Sequence, residues 1–195
     1  MLKRNYLQLE SSNEILAARI AQHDVAALEI IFDRFASQVF SLAAMLSDCT
    51  EAERIVLQVF SHLWFEIDQF ILHGGSFQDW LLDLTRTHIL IHVKCHEGQT
   101  VEHIGDAIDR WLSEATNQTM KAGEGLHKPN SDHQVWQALQ DLSSEQRYVI
   151  VLAYYGGFKQ KEIAQLLDWP LSGVKKHVEQ GLKRLRDILE LEPVL

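Results

Sequence analysis

Helix-spaced apolar residues run through almost the whole chain and constrain its fold more than any other feature. Between residues 13 and 95, and again between 135 and 189, apolar side chains recur every three or four positions. This is the period of an α-helix with one buried face. No segment shows sustained apolar–polar alternation bounded by turn residues, as a half-buried strand would. The pattern therefore predicts an all-α protein.

Polar and glycine-containing breaks divide these runs into helices. Ser11-Ser12-Asn13-Glu14 has the spacing of a capping box and predicts the start of a first helix. Asp48 or Thr50 can cap a later helix, and Gly74-Gly75-Ser76 marks a loop. The first hundred residues therefore read as one helical domain.

The amino-acid composition changes between residues 97 and 134, where five Gly or Pro residues stand among polar ones. Such composition is typical of a linker, here with one short helix around 101–112. We therefore predict two small helical domains, residues 1–97 and 135–195, joined by a flexible linker over 98–134.

The charge of the chain is unevenly distributed. The formal net charge is −9, which excludes a uniformly basic surface for nucleic acid. Residues 1–100 have a net charge of −6, residues 101–134 of −3, and residues 135–195 of zero. Within the last block, residues 171–186 hold five basic side chains and one acidic one. A nucleic-acid contact is therefore predicted there.

That basic segment overlaps a helix-turn-helix pattern over residues 161–178. Pro170 cannot extend the first helix, and Ser172 can cap the second. Near the start of the second helix, Lys175, Lys176, His177 and Gln180 would face outward and reach base edges in a major groove, while Lys183, Arg184 and Arg186 would neutralise phosphates. The alternative is an amphipathic hairpin whose basic face is merely solvated.

The remaining patterns restrict the class of protein. Two cysteines are too few for a disulfide framework, and neither a signal peptide nor a stretch of about 20 apolar residues is evident. No nucleophile–base pair, phosphate-binding loop or complete metal motif is evident either. We therefore expect a soluble cytoplasmic protein, without membrane insertion, cofactor or enzymatic activity.

Two blocks of the chain contain, in order, the segments of a known family pattern. The C-terminal block contributes residues 142–158, Lys161-Glu162-Ile163-Ala164 and residues 181–186. The N-terminal block contributes residues 26–35, 51–64 and 77–86. In these segments the chain resembles the extracytoplasmic-function (ECF) class of bacterial RNA polymerase sigma factors, and the resemblance covers roughly residues 13–96 and 135–189.

The resemblance implies a polymerase specificity subunit whose partners are the RNA polymerase core, promoter DNA and an anti-sigma protein. The 51–64 helix would dock on the polymerase, and the 80–94 helix with the 71–76 loop would hold the melted minus-10 strand. The C-terminal domain would read the minus-35 duplex. The candidate residues are Glu51, Glu53, Arg54, Leu57 and Gln58 for polymerase, Trp80, Arg86, His88, His92 and Lys94 for the melted strand, and Ser172, Lys175, Lys176, His177, Gln180, Lys183 and Arg184 for the duplex.

The chain departs from the family pattern at several of these positions. Arg54, Leu57 and Gln58 stand where the docking helix is usually acidic or amide-rich, and histidines replace arginines along the melting segment. Asp168 stands where a glycine often ends the first helix of the helix-turn-helix. These departures keep a second hypothesis open, namely a sigma-like DNA-binding regulator that does not initiate transcription.

The histidines of the melting segment allow a further interpretation, namely a metal site. His88, His92 and His96 are spaced four apart on one helix face beside Cys95, and these are ligand types for zinc, copper or nickel. The competing interpretation is that they line a nucleic-acid groove or pack against the linker. We favour the second and predict no metal site.

Overall fold

The computed structural model describes residues 12–73, 75–95, 101–123 and 131–191. The described residues form α-helices and no strand, which confirms the predicted all-α class. They divide into two compact units, Met1–His92 and Val93–Leu195. In chain order the helices are α1 (Asn13–Ile20), α2 (Val25–Ala44), α3 (Cys49–His73), α4 (Phe77–Cys95), α5 (Val101–Gly123), α6 (Ser131–Gln140), α7 (Ser144–Tyr154), α8 (Gln160–Leu166) and α9 (Leu171–Leu191).

Side-chain caps set the first helices of the N-terminal unit. Ser12 is the N-cap of α1, with its hydroxyl accepting a hydrogen bond from the Ile15 N–H at 3.3 Å. The cap is one residue later than predicted, and Ser11 lies outside the described residues. Asp24 caps α2 by accepting from Ala26 and Ala27. Asp48 accepts from the Glu51 N–H at the start of α3, as one of the two predicted caps.

Helices α2 and α3 form the centre of the N-terminal unit, and α1 packs on both. Their facing stripes are buried, including Ala27, Ile31, Phe35, Val39 and Leu42 of α2 and Ile55, Val56, Val59, Phe60 and Leu63 of α3. The helical period read from the sequence therefore identifies this core, because residues three and four apart share a helix face.

Helix α3 is also long and apolar enough, over Cys49–Leu72, to cross a membrane by length and composition alone. No stretch of this kind was expected from the sequence. The observation is weak evidence for a membrane span, because a core helix of a globular protein passes the same test. Ile55, Val59 and Leu63 are buried within the unit, and Glu66 interrupts the helix with φ −126° and ψ 19°. The helix is therefore kinked and packed on one side.

Aromatic contacts hold the start of α4 against the same core. The buried Phe77 ring lies 5.8 Å from Phe35 and 5.4 Å from Phe70, and Trp80 lies 5.5 Å from Phe70. Thr85 is buried as well and donates its hydroxyl to the Leu81 carbonyl. These contacts fix the first half of the segment predicted to hold the melted strand.

Helix α5 differs from the short linker helix predicted around 101–112, because it continues to Gly123 and packs on α6 and α7. Ile104, Ala107, Ile108 and Leu112 are buried along its first half. Asp109 accepts a hydrogen bond from the Tyr148 hydroxyl at 3.2 Å and lies 3.1 Å from the Arg147 guanidinium. This part of the predicted linker is therefore an element of the C-terminal unit.

The rest of the C-terminal unit is built around α9, which contacts α6, α7 and α8. Ile163, Leu166, Leu167 and Val174 are buried at the helix-turn-helix, as the sequence predicts. Gly181 of α9 permits a close approach to α7, because a Cβ there would lie 2.5 Å from the end of the Ile150 side chain. The second helix of the motif is therefore held by three neighbours.

Candidate nucleic-acid interface

The turn between α8 and α9 sets the direction of the candidate recognition helix. After Leu167, Asp168 adopts a left-handed conformation with φ 49°, and the Trp169 N–H donates to the Ala164 carbonyl at 3.0 Å. A bond from this position back to the last helical turn is that of a Schellman C-cap. The chain then enters α9 directly, with Gly173 and Val174 donating to the Pro170 carbonyl.

The first turn of α9 differs from the prediction in one detail. Ser172 lies inside the helix and is exposed, and the carbonyl that accepts the first helical hydrogen bonds belongs to Pro170. Pro170 suits this place because its fixed φ is compatible with the start of a helix. Ser172 is thus placed on the surface, two residues before the buried Val174.

Basic side chains cover the outer face of α9. Lys175, Lys176 and Gln180 are exposed near its N-terminal end, while Val174 is buried and Val178 is half-buried. Lys183 and Arg186 are exposed farther along. Arg184 is exposed too, and its Nε donates to the Asp141 carbonyl at 3.3 Å, so this guanidinium is partly tied to its own unit. The predicted basic surface therefore exists as one helix face.

His177 does not share the exposure of its neighbours. It is half-buried, and its ring centroid lies 5.4 Å from that of Trp169 at an interplanar angle of 45°. Its Nδ1 atom is buried without a hydrogen-bond partner among the described residues. The sequence pattern placed His177 outward with the two lysines, but it could not show that Trp169 folds back over this position.

An acidic side chain of α7 also faces this region. The pKa of Glu145 lies below its ordinary value, chiefly because its own backbone N–H and then the Ser143 hydroxyl donate to the carboxylate. Burial opposes this shift slightly, and the charge of His177 adds to it. Ser143 is the N-cap of α7, so the helix start that positions Glu145 also keeps it ionised.

The candidate polymerase-binding residues lie on the first turns of α3. Glu53, Arg54, Leu57 and Gln58 are exposed, Leu57 at 65%. Glu51 is instead held within the unit, 2.9 Å from the Arg54 guanidinium and 3.5 Å from His92 Nδ1. Four of the five predicted residues therefore form an open surface.

An apolar groove adjoins this surface, and sequence reasoning did not identify it. It has a volume of about 440 Å³ and lies between α2 and α3. Phe32, 39% exposed, lies at the edge of the apolar stripe of α2, and helical spacing alone cannot separate the edge of a stripe from its centre. The groove is lined by Phe32, Ala36, Ser37, Phe40, Glu53, Val56 and Leu57.

The candidate strand-binding residues on α4 are less uniform than predicted. Trp80 is half-buried against Phe70 and Phe77, and the largely buried Arg86 guanidinium pairs with Asp83. Lys94 is exposed. Pairing with a neighbouring carboxylate was invisible in the sequence pattern, although the three-residue spacing of Asp83 and Arg86 permits it.

The histidines of α4 are divided between separate contacts. The half-buried His88 ring meets His62 edge-on at 5.3 Å, and burial, then the charge of His62, lowers the pKa of His88. His92 turns toward Glu51 instead. His96, the third candidate ligand, lies outside the described residues, and among those described no group of three or more metal-ligating side chains could hold an ion.

Comparison with known proteins adds family relationships to this geometry. Residues 132–185 match the family model for sigma-70, region 4. The chain is 27% identical over 187 residues to the ECF RNA polymerase sigma factor SigK of Mycobacterium bovis (strain BCG / Pasteur 1173P2), covering 94% of this chain and 97% of the relative. It is 26% identical over 178 residues to SigK of Mycobacterium ulcerans (strain Agy99), covering 90% and 92%.

Among solved structures, the chain matches that of CnrH in complex with the cytosolic domain of CnrY. It has a TM-score of 0.46 and 18% sequence identity, and the match covers 92% of this chain and 98% of that one. The matched family segment contains α7, α8 and α9 as far as residue 185, and it therefore includes the basic face described above except Arg186.

Proposed function

We propose that the chain is an ECF sigma factor of the sigma-70 family and that it directs bacterial RNA polymerase to specific promoters. The observation that supports this most is the coincidence of two findings. The segment matched by the region 4 model contains a helix-turn-helix whose second helix exposes Lys175, Lys176 and Gln180. Such a helix fits a major groove, where side chains near its N-terminal end reach base edges.

The proposed division of roles follows the two domains predicted from the sequence. We assign polymerase docking and strand capture to residues 1–97 and minus-35 reading to residues 135–195. The exposed part of the docking surface on α3 and the adjoining apolar groove support the first assignment, because an open apolar surface rimmed by charge suits a protein partner. Proposed partners are the polymerase core, promoter DNA and an anti-sigma protein, which implies a cytoplasmic site of action.

A second candidate function is a sigma-like regulator that binds DNA without initiating transcription. It is favoured by the internal pairing of four predicted functional side chains. Glu51 contacts Arg54 and His92, and Arg86 pairs with Asp83. A group held by an internal partner must lose that contact before it can bind polymerase or unpaired DNA.

Run-off transcription separates the two functions. Purified chain and core polymerase are combined with promoter fragments randomised over the upstream and melted elements, and enriched transcripts are sequenced. The proposed function predicts specific initiation that depends on the chain. Selection of duplex fragments without transcripts would favour the regulator instead.

Two exposed leucines of α3 provide matched variants for the docking step. Leu57→Glu places a charge on the proposed docking surface, whereas Leu72→Glu changes an even more exposed leucine beyond the kink. Leu57→Glu is expected to weaken core binding at least tenfold, and Leu72→Glu to leave it nearly unchanged. Equal effects of the two variants would remove the assignment of this surface.

Lys176→Ala tests sequence reading by α9. If Lys176 contacts a base edge, the variant loses roughly 1–3 kcal/mol of binding to the selected element and much less to random duplex. Lys183→Ala is the control, since a phosphate contact weakens binding to both duplexes equally. Equal losses for Lys176→Ala would show that this side chain also contacts phosphate.

A further inference from the structure

Trp169 occupies a position fixed by the backbone of the turn. The left-handed Asp168 and the hydrogen bond from the Trp169 N–H to the Ala164 carbonyl define where its Cα lies. Pro170 follows and restricts the next φ angle. The half-buried indole is therefore presented to α9 from a rigid turn.

His177 is the residue of α9 that meets this indole. Its ring lies 5.4 Å from Trp169, and its Nδ1 is buried without a partner among the described residues. A ligand cannot reach that nitrogen, so Nε2 is the ring nitrogen left to contact DNA. Burial of one edge and contact with the indole together restrict how the imidazole can rotate about χ1 and χ2.

Charged side chains lie near His177. Glu145 of α7 interacts electrostatically with His177 from within the unit. Lys175 and Lys176, which precede it on α9, are exposed. Among the residues that the structure describes, the imidazole is therefore the one side chain of this basic face that contacts an aromatic ring.

We propose that Trp169 is a positioning residue for DNA recognition, which holds His177 so that its Nε2 edge meets one base pair of the bound duplex. This inference rests on the proposed function and deepens it. A long, flexible lysine side chain can hydrogen-bond to several different base edges, whereas a ring held in one orientation can hydrogen-bond to only a few. Sequence discrimination at the base pair contacted by His177 therefore depends on the indole, although Trp169 need not touch DNA.

A double-mutant cycle in the full chain tests the proposal. Wild type, Trp169→Ala, His177→Ala and the double variant are each combined with core polymerase and a promoter library randomised over the upstream element. Both single variants should flatten the preference at the same base pair by roughly tenfold, the size of one lost base contact. The double variant should be no flatter than either single variant.

Two further substitutions separate positioning from simple structural support. Trp169→Phe keeps an aromatic ring and should retain most of the preference, whereas Trp169→Leu keeps apolar bulk and should lose it. Trp136→Phe, an aromatic exchange elsewhere in the C-terminal unit, should leave the preference unchanged. Circular dichroism and thermal midpoints identify any variant that fails to fold, and the Phe–Leu comparison then replaces Trp169→Ala.

The outcomes that overturn the proposal differ from those that overturn the proposed function. A uniform loss across all sequences, a change at a different base pair, or multiplied losses in the double variant would show that Trp169 does not act through His177. If the wild-type chain supports no transcription from any fragment, the proposed function fails. The double-mutant cycle is then measured instead by selecting duplexes that the free chain binds at low salt. Failure to select any duplex there overturns the positioning role as well.

Discussion

At the scale of single residues, Asp168 has the least usual backbone conformation in the helix-turn-helix. Its φ of 49° is in the left-handed region, which residues with a Cβ adopt at a cost. Asp tolerates that region better than most residues, and Gly better still. The sequence pattern marked this position because a glycine often ends the first helix there.

Asp168→Gly is therefore expected to stabilise the C-terminal unit. Relief of the backbone strain at residue 168 outweighs the extra conformational freedom of glycine in the unfolded chain. The free energy of unfolding should therefore rise by about 0.5–1 kcal/mol. The urea midpoint of unfolding, followed by circular dichroism, measures it. Asp168→Asn removes the charge but keeps the tolerance for this region, so it should change little, and Asp168→Ala should destabilise. A stabilising effect of Asp168→Ala would contradict the conformational explanation.

The sequence predicted residue exposure well for aliphatic side chains and poorly for polar ones. Val174 and Leu166 are buried as their spacing requires, because an apolar group has no other favourable place. His177 and Glu51 contact Trp169 and His92, which lie on other elements. Helical spacing contains no information about partners on other elements.

At the scale of helices, α5 shows why composition misidentified part of a packed element as linker. Gly105 is one of the glycines that suggested flexibility, yet a Cβ there would lie 2.6 Å from the Tyr148 hydroxyl. This glycine therefore permits close packing of α5 on α7. Trp111 of the same helix also meets Trp136 and Tyr155, and Trp136 and Tyr155 are stacked at 4.8 Å.

Asp109→Asn tests how α5 is attached to α7. Burial raises the pKa of Tyr148 above its ordinary value, and the Asp109 charge and hydrogen bond raise it further. Removing the charge should lower the Tyr148 pKa, but not fully to that of an exposed tyrosine, because burial remains. Absorbance at 295 nm against pH measures the change, and Tyr148→Phe identifies which transition belongs to this residue. An unchanged transition would mean that the contact does not persist in solution.

The cap of α2 provides a pH test in the N-terminal unit. Arg19 donates to Asp24, and this bond, with the backbone donors of Ala26 and Ala27, lowers the Asp24 pKa. A carboxyl group whose pKa is lower in the folded than in the unfolded chain stabilises the fold. The stabilisation is complete when the pH is above the unfolded-state pKa near 3.8, and it is lost as the pH falls through the lower folded-state pKa.

Asp24→Asn should therefore lower the urea midpoint by the same amount at pH 7 and pH 5, because the wild-type carboxylate is ionised at both. The difference between the two proteins should shrink below about pH 4, where wild type protonates. Asn retains a capping oxygen but cannot pair with Arg19, so the comparison isolates the charge. A difference that grows on acidification would contradict this assignment.

At the scale of the whole molecule, acidic and basic side chains are concentrated in different parts of the chain. The net charge of −9 arises from residues 1–134, whereas residues 171–186 hold five basic side chains against one acidic one. At physiological salt the Debye length is about 8 Å, so the basic face of α9 attracts a duplex only at close range. Distant acidic residues are screened there, but they repel DNA more as salt is lowered.

This balance predicts that the chain alone binds duplex DNA weakly. In fluorescence-anisotropy titrations at about 0.15 M salt, affinity for random duplex should be micromolar or weaker. The slope of log K against log salt should be shallower than about −4.5, the value for five neutralised phosphates, because repulsion by the acidic regions opposes the counterion effect. Core polymerase should tighten binding to the selected promoter at least a hundredfold, because in the proposed function it anchors the acidic N-terminal unit and leaves only the contacts of α9 to form. Nanomolar binding of the chain alone to random duplex would contradict this account, because the basic face would then be sufficient without a partner.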